Sequence, residues 1–548
     1  MYDPLVPKEQ NLNGGDLLVH YQVPLVDGND VYMESKSGSY SKGAYATQQW
    51  HQNRFSWVGG ALTKIWTFDS DWVAPGSQSD FWEPVYHAVL ANGFVYDPGL
   101  GGTIFKLNKA DGSVVRRINP FATVDPDRFT VSPLTTDAFG NIYYNVLEVE
   151  DGGNKFLSKD AVDSWLVKVA PDDSIQMVSY TNLLAGSVPA PTDLCYATFS
   201  TTQLPWPPSP DAIPGKVTCG LQRVAINIAP AVAANGTIYS VTRSHFISRY
   251  GYLVAVNPNL TLQWATSLRG DDRVAGDYFS GGYMPDGCND GTPYTSASLY
   301  PLNGDTVHGG CRAGARPGVD PAVNRLGGGR VIDDSSSTPT IAPDGSIFYG
   351  AFSRYNYDQG SLMHFDASGH FLNYFSFGWD ITPAIYAHDG TYSVVIKNNH
   401  YGGVGSYCND EAFCPSDRTG SNAASPEQYF VTQLSPVTNP VNGSMTIEWS
   451  FQNTNTQSCT RSDDGSISCV SDHPFGFEWC VNAPVVDRLG VVYANSEDGN
   501  LFAINQGGTL KQKIFQQLAL GAAYTPASLG GDGKIYTQNA GHLFVVSR

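Results

Sequence analysis

Thr338–Phe352, TPTIAPDGSIFYGAF, reads as a short strand, a Pro-Asp-Gly turn and a second strand of alternating apolar and aromatic residues. The same pattern recurs along the chain. It appears as VPLVDGNDVY at 23–32, AVLANGFVY at 88–96, SPLTTDAFGNIYY at 132–144 and APAVAANGTIY at 229–239. After the 338–349 copy come TPAIYAHDGTYSV at 382–394, APVVDRLGVVY at 483–493 and TPASLGGDGKIY at 525–536. Alternation over a few residues, bounded by Gly, Asn, Asp and Pro, is the signal of strand, tight turn and strand. Gly at the turn supplies the positive φ that such hairpins need.

A second hairpin follows the first in the best copies. LVAVNPNLTLQWATS (253–267), LMHFDASGHFLNYFS (362–376) and LFAINQGGTLKQKIF (501–515) each read as strand, polar turn and strand, as does the run from Phe105 through Gly112 into SVVRRI. Four strands per unit over eight units predict an all-β, eight-bladed β-propeller of antiparallel blades. Radial repetition lets each small sheet bury both faces against its neighbours. The last unit ends after KIYTQ and HLFVVSR, with three strands. Asp16–Gln22 (DLLVHYQ) stands ahead of the first unit where a fourth strand belongs, so it is expected to complete the last blade. Seven blades is the alternative, should 380–450 not form a blade of its own.

The whole chain, 1–548, is therefore expected to be one propeller domain. Its loop insertions are expected at about 33–60, 185–222, 269–334, 399–428 and 453–476. Long loops without structure of their own are usually functional, so specificity is expected there.

Charge and cysteine set the context. Net charge is −19, which argues against nucleic acid, because phosphate binding needs a basic footprint. No apolar run is long enough for a membrane-spanning helix. The opening MYDPLVPKEQN has neither the basic nor the apolar part of a signal peptide. Eight of the nine cysteines nevertheless fall as neighbours inside the insertions. Local pairing, Cys195 with Cys219, Cys288 with Cys311, Cys408 with Cys414 and Cys459 with Cys469, is the economical expectation, although spacing alone proves no connectivity. Bridges imply an extracellular or periplasmic protein whose leader is absent from this chain. Cys480 is left over and is expected to be an inert buried thiol.

Chemistry is placed by topology. In a propeller, the residues just ahead of each innermost strand ring one mouth of the central channel. Here they are Glu83, His87, Arg128, Arg223, Asp333, Asp334, Trp379, Asp380, Glu478, Trp479 and Tyr524. Carboxylates, Arg, His and aromatics on one concave site suit a glycan or another polar small molecule. They also suit acid/base chemistry, as two carboxylates for glycoside hydrolysis or a His, Tyr and Arg for a lyase. The plainer reading is that Arg–carboxylate pairs knit the frame. Asp333-Asp334 and DGCND (286–290) raise calcium as a candidate cofactor, although no EF-hand loop is present. HExxH, P-loop and GxSxG motifs are all missing.

The copies APAVAANGTIY…GYLVAVNPNLTLQW and APVVDRLGVVY…GNLFAINQGGTLKQ resemble the PQQ-like, or quinoprotein-type, propeller repeat, and the likeness covers nearly all of the chain outside the insertions. That family holds quinoprotein alcohol dehydrogenases and also non-catalytic members, such as the lipoprotein that assists outer-membrane barrel assembly. The resemblance implies a docking Trp near each fourth strand. Trp66, Trp264 and Trp449 fit that role, with Ile118, Tyr374 and Lys513 at the corresponding places in other blades. It also implies an adjacent Cys-Cys pair over the quinone in the enzymes, which this chain lacks. PQQ is therefore not expected. The leading expectation is a secreted binding or scaffold protein with a protein, glycan or small-molecule partner. The rivals are a carbohydrate-active enzyme and a divergent quinoprotein dehydrogenase.

Overall fold

A computed structural model describes residues 3, 5–6, 8, 11, 22–38, 47–74, 85–150, 161–196, 215–268, 319–320, 325–326, 331, 337–352, 360–378, 381–400, 427–440, 443–462, 464–479, 483–520 and 527–547. Eight antiparallel sheets follow one another along the chain, each with its main strands in sequence order from the inside outwards. They span residues 25–69, 89–118, 135–179, 231–267, 340–377, 384–452, 485–515 and 527–546, and are called blades 1 to 8. All eight first hairpins pair as the repeat predicts, and residues 384–452 form a blade of their own. The protein is an eight-bladed β-propeller.

Blade 8 has three described strands, Ala527–Leu529, Ile535–Asn539 and His542–Val546. The expected fourth strand, Asp16–Gln22, lies outside the described residues except for Gln22. The seam between blades 8 and 1 is tied all the same. Ser528 Oγ donates to Pro24 O (2.6 Å), Gln538 Nε2 to Gln22 O (3.1 Å) and Trp57 Nε1 to the Tyr536 hydroxyl (2.9 Å). Val31, Met33 and Tyr536 pack together beneath these bonds.

Most of 33–60 is strand, which corrects its reading as an insertion. Asp30–Ser37 and Gln49–Val58 are the second and third strands of blade 1. Their alternation was hidden by polar residues whose side chains turn out to be buried, described below. The 453–476 insertion contains a two-stranded hairpin, Gln457–Arg461 with Ile467–Ser471, stapled by Cys459–Cys469. Cys195–Cys219 is also bonded. The other two expected pairs, and Cys480, fall outside the described residues.

Blade junctions repeat one device. The Trp66 ring lies against Gly112 of blade 2 and its Nε1 donates to Lys109 O (2.9 Å). Trp264 likewise lies on Gly369 of blade 5 and donates to Ala367 O (3.0 Å), and Trp449 lies by Gly508 of blade 7. These glycines have φ of 73°, 83° and 72°. A Cβ on Gly369 would stand 2.7 Å from the Trp264 ring, so both backbone conformation and the approaching indole demand glycine.

In the other blades the register moves the docking position from where the repeat alone put it. Each docking Trp sits just beyond a bulge in the fourth strand, paired with Arg54, Ala255 or Gln433. The residues paired in the same way elsewhere are Arg116, Asn373 and Gln512, not Ile118, Tyr374 and Lys513. Arg116 reaches Asp173 of the next blade (3.5 Å), and Asn373 donates to Pro436 O (2.7 Å).

Candidate functional site

The segments ahead of the innermost strands pair with the far ends of the second strands, as Arg128–Thr130 does with Val146–Glu148 and Gln222–Val224 with Thr242–Ser244. Of the residues predicted to ring the mouth, most of those described are consumed by the frame. Arg128 donates Nε to Glu148 Oε2 (2.8 Å), lies 3.7 Å from Asp125 and covers the Phe121 ring. Arg223 is fully buried in its strand, paired across with Arg243. Trp479 is fully buried between Phe451 and Phe502, and its backbone is clamped to the Asn399 side chain by two bonds of 3.0 Å. Glu478 is half-buried, and its carbonyl accepts from Ser496 Oγ and Glu497 N. Glu83, Asp333, Asp334, Trp379, Asp380 and Tyr524 lie outside the described residues.

At the junction of blades 6 and 7, Tyr429 donates to Glu427. Burial, with the charges of Glu478, Glu427 and Glu497 around it, holds the Tyr429 phenol far above the ordinary tyrosine range.

His87 leads to a richer group between blades 1 and 2. Its Nε2 stands 3.9 Å from Glu34 Oε2, and its side chain keeps 18% exposure where Glu34 keeps 1%. Glu34 lies on the second strand of blade 1, with Lys36 two residues on, so both face blade 2. The register sets Gln52 beside Glu34 and Trp50 beside Lys36 on that face. Asp97 faces them from the second strand of blade 2 and accepts from the Tyr86 hydroxyl. Gln22 joins the parts, donating N to Glu34 Oε1 (2.7 Å) and accepting from Ala88 N (3.0 Å). Asp3 accepts from Leu5 N and Lys36 N and donates its own N to Gly541 O of blade 8. Trp50, Trp72 and Tyr86 form the wall, with ring centres 5.3 to 5.5 Å apart, and Lys36 Nζ lies 5.7 Å from the Trp50 ring.

Burial dominates the electrostatics here. Asp3, Glu34, Gln52, Tyr86 and Asp97 are all 0% exposed. Loss of water pushes the Asp97 carboxyl up to about 8, and raises Glu34 well above the carboxylate range and Asp3 above it. The charges of Asp3 and Asp97 raise Glu34 further, while Lys36 and the Gln22 N–H pull it down. Sequence reasoning found His87 and missed Glu34, Lys36, Gln52 and Asp97. The available signal was an ionisable residue within an apolar strand, as in VYMES and FVYDP. Among the described residues, no three His, Cys, Asp or Glu side chains converge as a metal-ligand set.

No family model matches this chain, and no curated protein matches it. Among solved structures it is similar to a quinohemoprotein alcohol dehydrogenase from Comamonas testosteroni, at 13% identity and TM-score 0.44, covering 94% of this chain and 70% of that one. It is also similar to BamB from Moraxella catarrhalis (10%, TM-score 0.37, 96% and 92%) and to the Dos1 propeller (7%, TM-score 0.44, 96% and 92%). Among the described residues the class of the protein is an eight-bladed propeller with docking-Trp junctions and a deeply buried acidic junction between blades 1 and 2.

Proposed function

We propose that this protein is a secreted binding or scaffold propeller, extracellular or periplasmic, that recognises a protein or glycan through its long loops, 185–222 and 269–334 foremost. One observation carries the reading. Three of the five described residues predicted to ring the mouth are tied into the frame: Arg128 by Glu148, Trp479 by Asn399 and aromatic neighbours, Arg223 by complete burial. A catalytic mouth needs groups with free lone pairs or protons facing a cavity. The two disulfides support export. Among the described residues no helix is long and apolar enough to cross a membrane.

The carboxylates around Tyr429 favour one second reading, a carbohydrate-active enzyme working at blades 6 and 7 with Glu478 as acid or base.

The test is a titration with PQQ and Ca²⁺ followed by Trp fluorescence and dye reduction with alcohols and sugars, alongside a glycan array. The binding reading expects no dye reduction and a saturable hit on the array or with a protein ligand. Substrate-dependent dye reduction would make this a quinoprotein dehydrogenase. Glycan cleavage lost in Glu478→Gln would make it a glycan-active enzyme.

A further inference from the structure

The junction of blades 1 and 2 holds more acid than base. Among the described residues, three carboxyl groups, Asp3, Glu34 and Asp97, face one ammonium, Lys36, and one partly exposed imidazole, His87. The other titratable groups packed nearby are already engaged. Tyr86 donates to Asp97, and His51 bonds Ser37 (2.7 Å) and Asp69 (2.6 Å). This imbalance lies in a dry setting behind Trp50 and Trp72, where an uncompensated carboxylate is costly.

A second observation is independent of charge. Gln52 is wholly buried beside Glu34, and neither its amide oxygen nor its amide nitrogen has a hydrogen-bond partner. Gln48, two residues before Trp50 and 4% exposed, also has both amide atoms unbonded. Glu34 Oε2 and Asp97 Oδ1 accept no hydrogen bond either. A buried carboxamide unbonded at both ends is rare in a folded protein and calls for a partner, an ordered water or an ion. The unbonded acceptors are all oxygens, the ligand atoms that hard cations select, and among the described residues no thiol or imidazole pair competes for a softer metal.

We propose that this junction holds one hard cation, of the calcium or alkali class, between Glu34 Oε2, Asp97 Oδ1 and Gln52 Oε1. His87, the most exposed member, marks the side of entry at the channel mouth. Protons are the competing occupants, so the cation binds more tightly as pH rises. The site uses none of the calcium candidates named from the sequence, and the inference does not depend on the proposed function.

The test is a terbium titration of chelator-treated protein at pH 7.5, exciting tryptophan and reading Tb³⁺ emission, with Ca²⁺ and K⁺ as displacing ions. Trp50 and Trp72 make the junction a good sensitiser. The expected result is saturable emission with one ion per chain. Whichever of Ca²⁺ and K⁺ displaces it identifies the class. Glu34→Gln and Asp97→Asn each weaken binding at least tenfold, yet unfold no earlier than wild type in cation-free buffer, because a neutral amide relieves the crowded charge. Emission that is absent, or equally strong in both variants, overturns the proposal by placing any bound ion elsewhere on the acidic surface. Should the variants not fold, the wild-type melting temperature at pH 8 decides. A rise with Ca²⁺ or K⁺ at constant ionic strength supports the site, and no change with either leaves the junction to protons and water.

Discussion

The junctions of blades 4 with 5 and of blades 1 with 2 meet the same demand, locking one sheet onto the next, in opposite ways. Between blades 4 and 5 an indole lies on a glycine and its N–H finds a carbonyl, so apolar area is buried and the one polar group of the ring is satisfied. Between blades 1 and 2 there is also a docking indole, Trp66, at the outer rim. Towards the mouth, however, that junction gives way to Glu34, Gln52 and Asp97, all buried and incompletely bonded. The first arrangement maximises stability. The second gives stability up at one place, and such places are where function is usually found.

Breaking the dry device should have the largest effect. Gly369→Val puts a branched side chain at positive φ against the Trp264 ring and is expected to cost about 4 kcal/mol. Trp66→Ala, which empties a side chain 8% exposed, should cost about 3 to 4 kcal/mol. Both are read from denaturant midpoints, and a loss under 1 kcal/mol in both would remove the docking device from the account.

The two bridges sharpen the contrast between core and rim. Cys195 and Cys219 are fully buried within a large apolar cluster, so the paired Ser variant is expected to lose about 3 kcal/mol. Cys459–Cys469 staples an exposed hairpin, whose release should cost under about 1 kcal/mol globally and show as faster local hydrogen exchange.

The acidic junction predicts a pH dependence of known sign. Asp97 has a folded pKa of about 8 against an ordinary value of 3.8, so the folded state holds its proton more tightly than the unfolded chain. The stability it contributes is complete below about pH 4 and is lost as pH rises through about 8. In cation-free buffer the melting temperature should fall between pH 5 and 8, and Asp97→Asn should flatten the curve. A melting temperature that rises over this range in wild type would contradict the assignment. The smallest effect belongs to Arg128→Gln. Its ion pair with Glu148 is partly exposed, and thermal unfolding should register about 1 kcal/mol or less.

The frame was legible in the residues because every first hairpin carries its own turn chemistry and alternation. The docking indoles were legible too. Their counterparts were not, since a bulge of one residue in the fourth strand shifts Arg116 and Asn373 into the docking position, and a bulge leaves little trace in composition. Of the candidate site, His87 was readable from its place ahead of an inner strand. Glu34 and Asp97 were not, because a charged residue within a strand ordinarily marks the solvent face. Only the three-dimensional pairing of two blades turns both inward.

The bonds that tie the seam have a consequence for how the molecule comes into being. Gln22 and Gln538 are 516 positions apart, and Pro24 and Ser528 are 504 apart. Blades 1 to 7 are each made from neighbouring sequence and can form as the chain emerges, one after another. The circle itself can close only once the eighth has been synthesised, and until then Val31 and Met33 lack the covering that Tyr536 provides. Assembly thus divides into local steps within each blade and one long-range step that closes the ring, for which the loop-closure entropy is greatest.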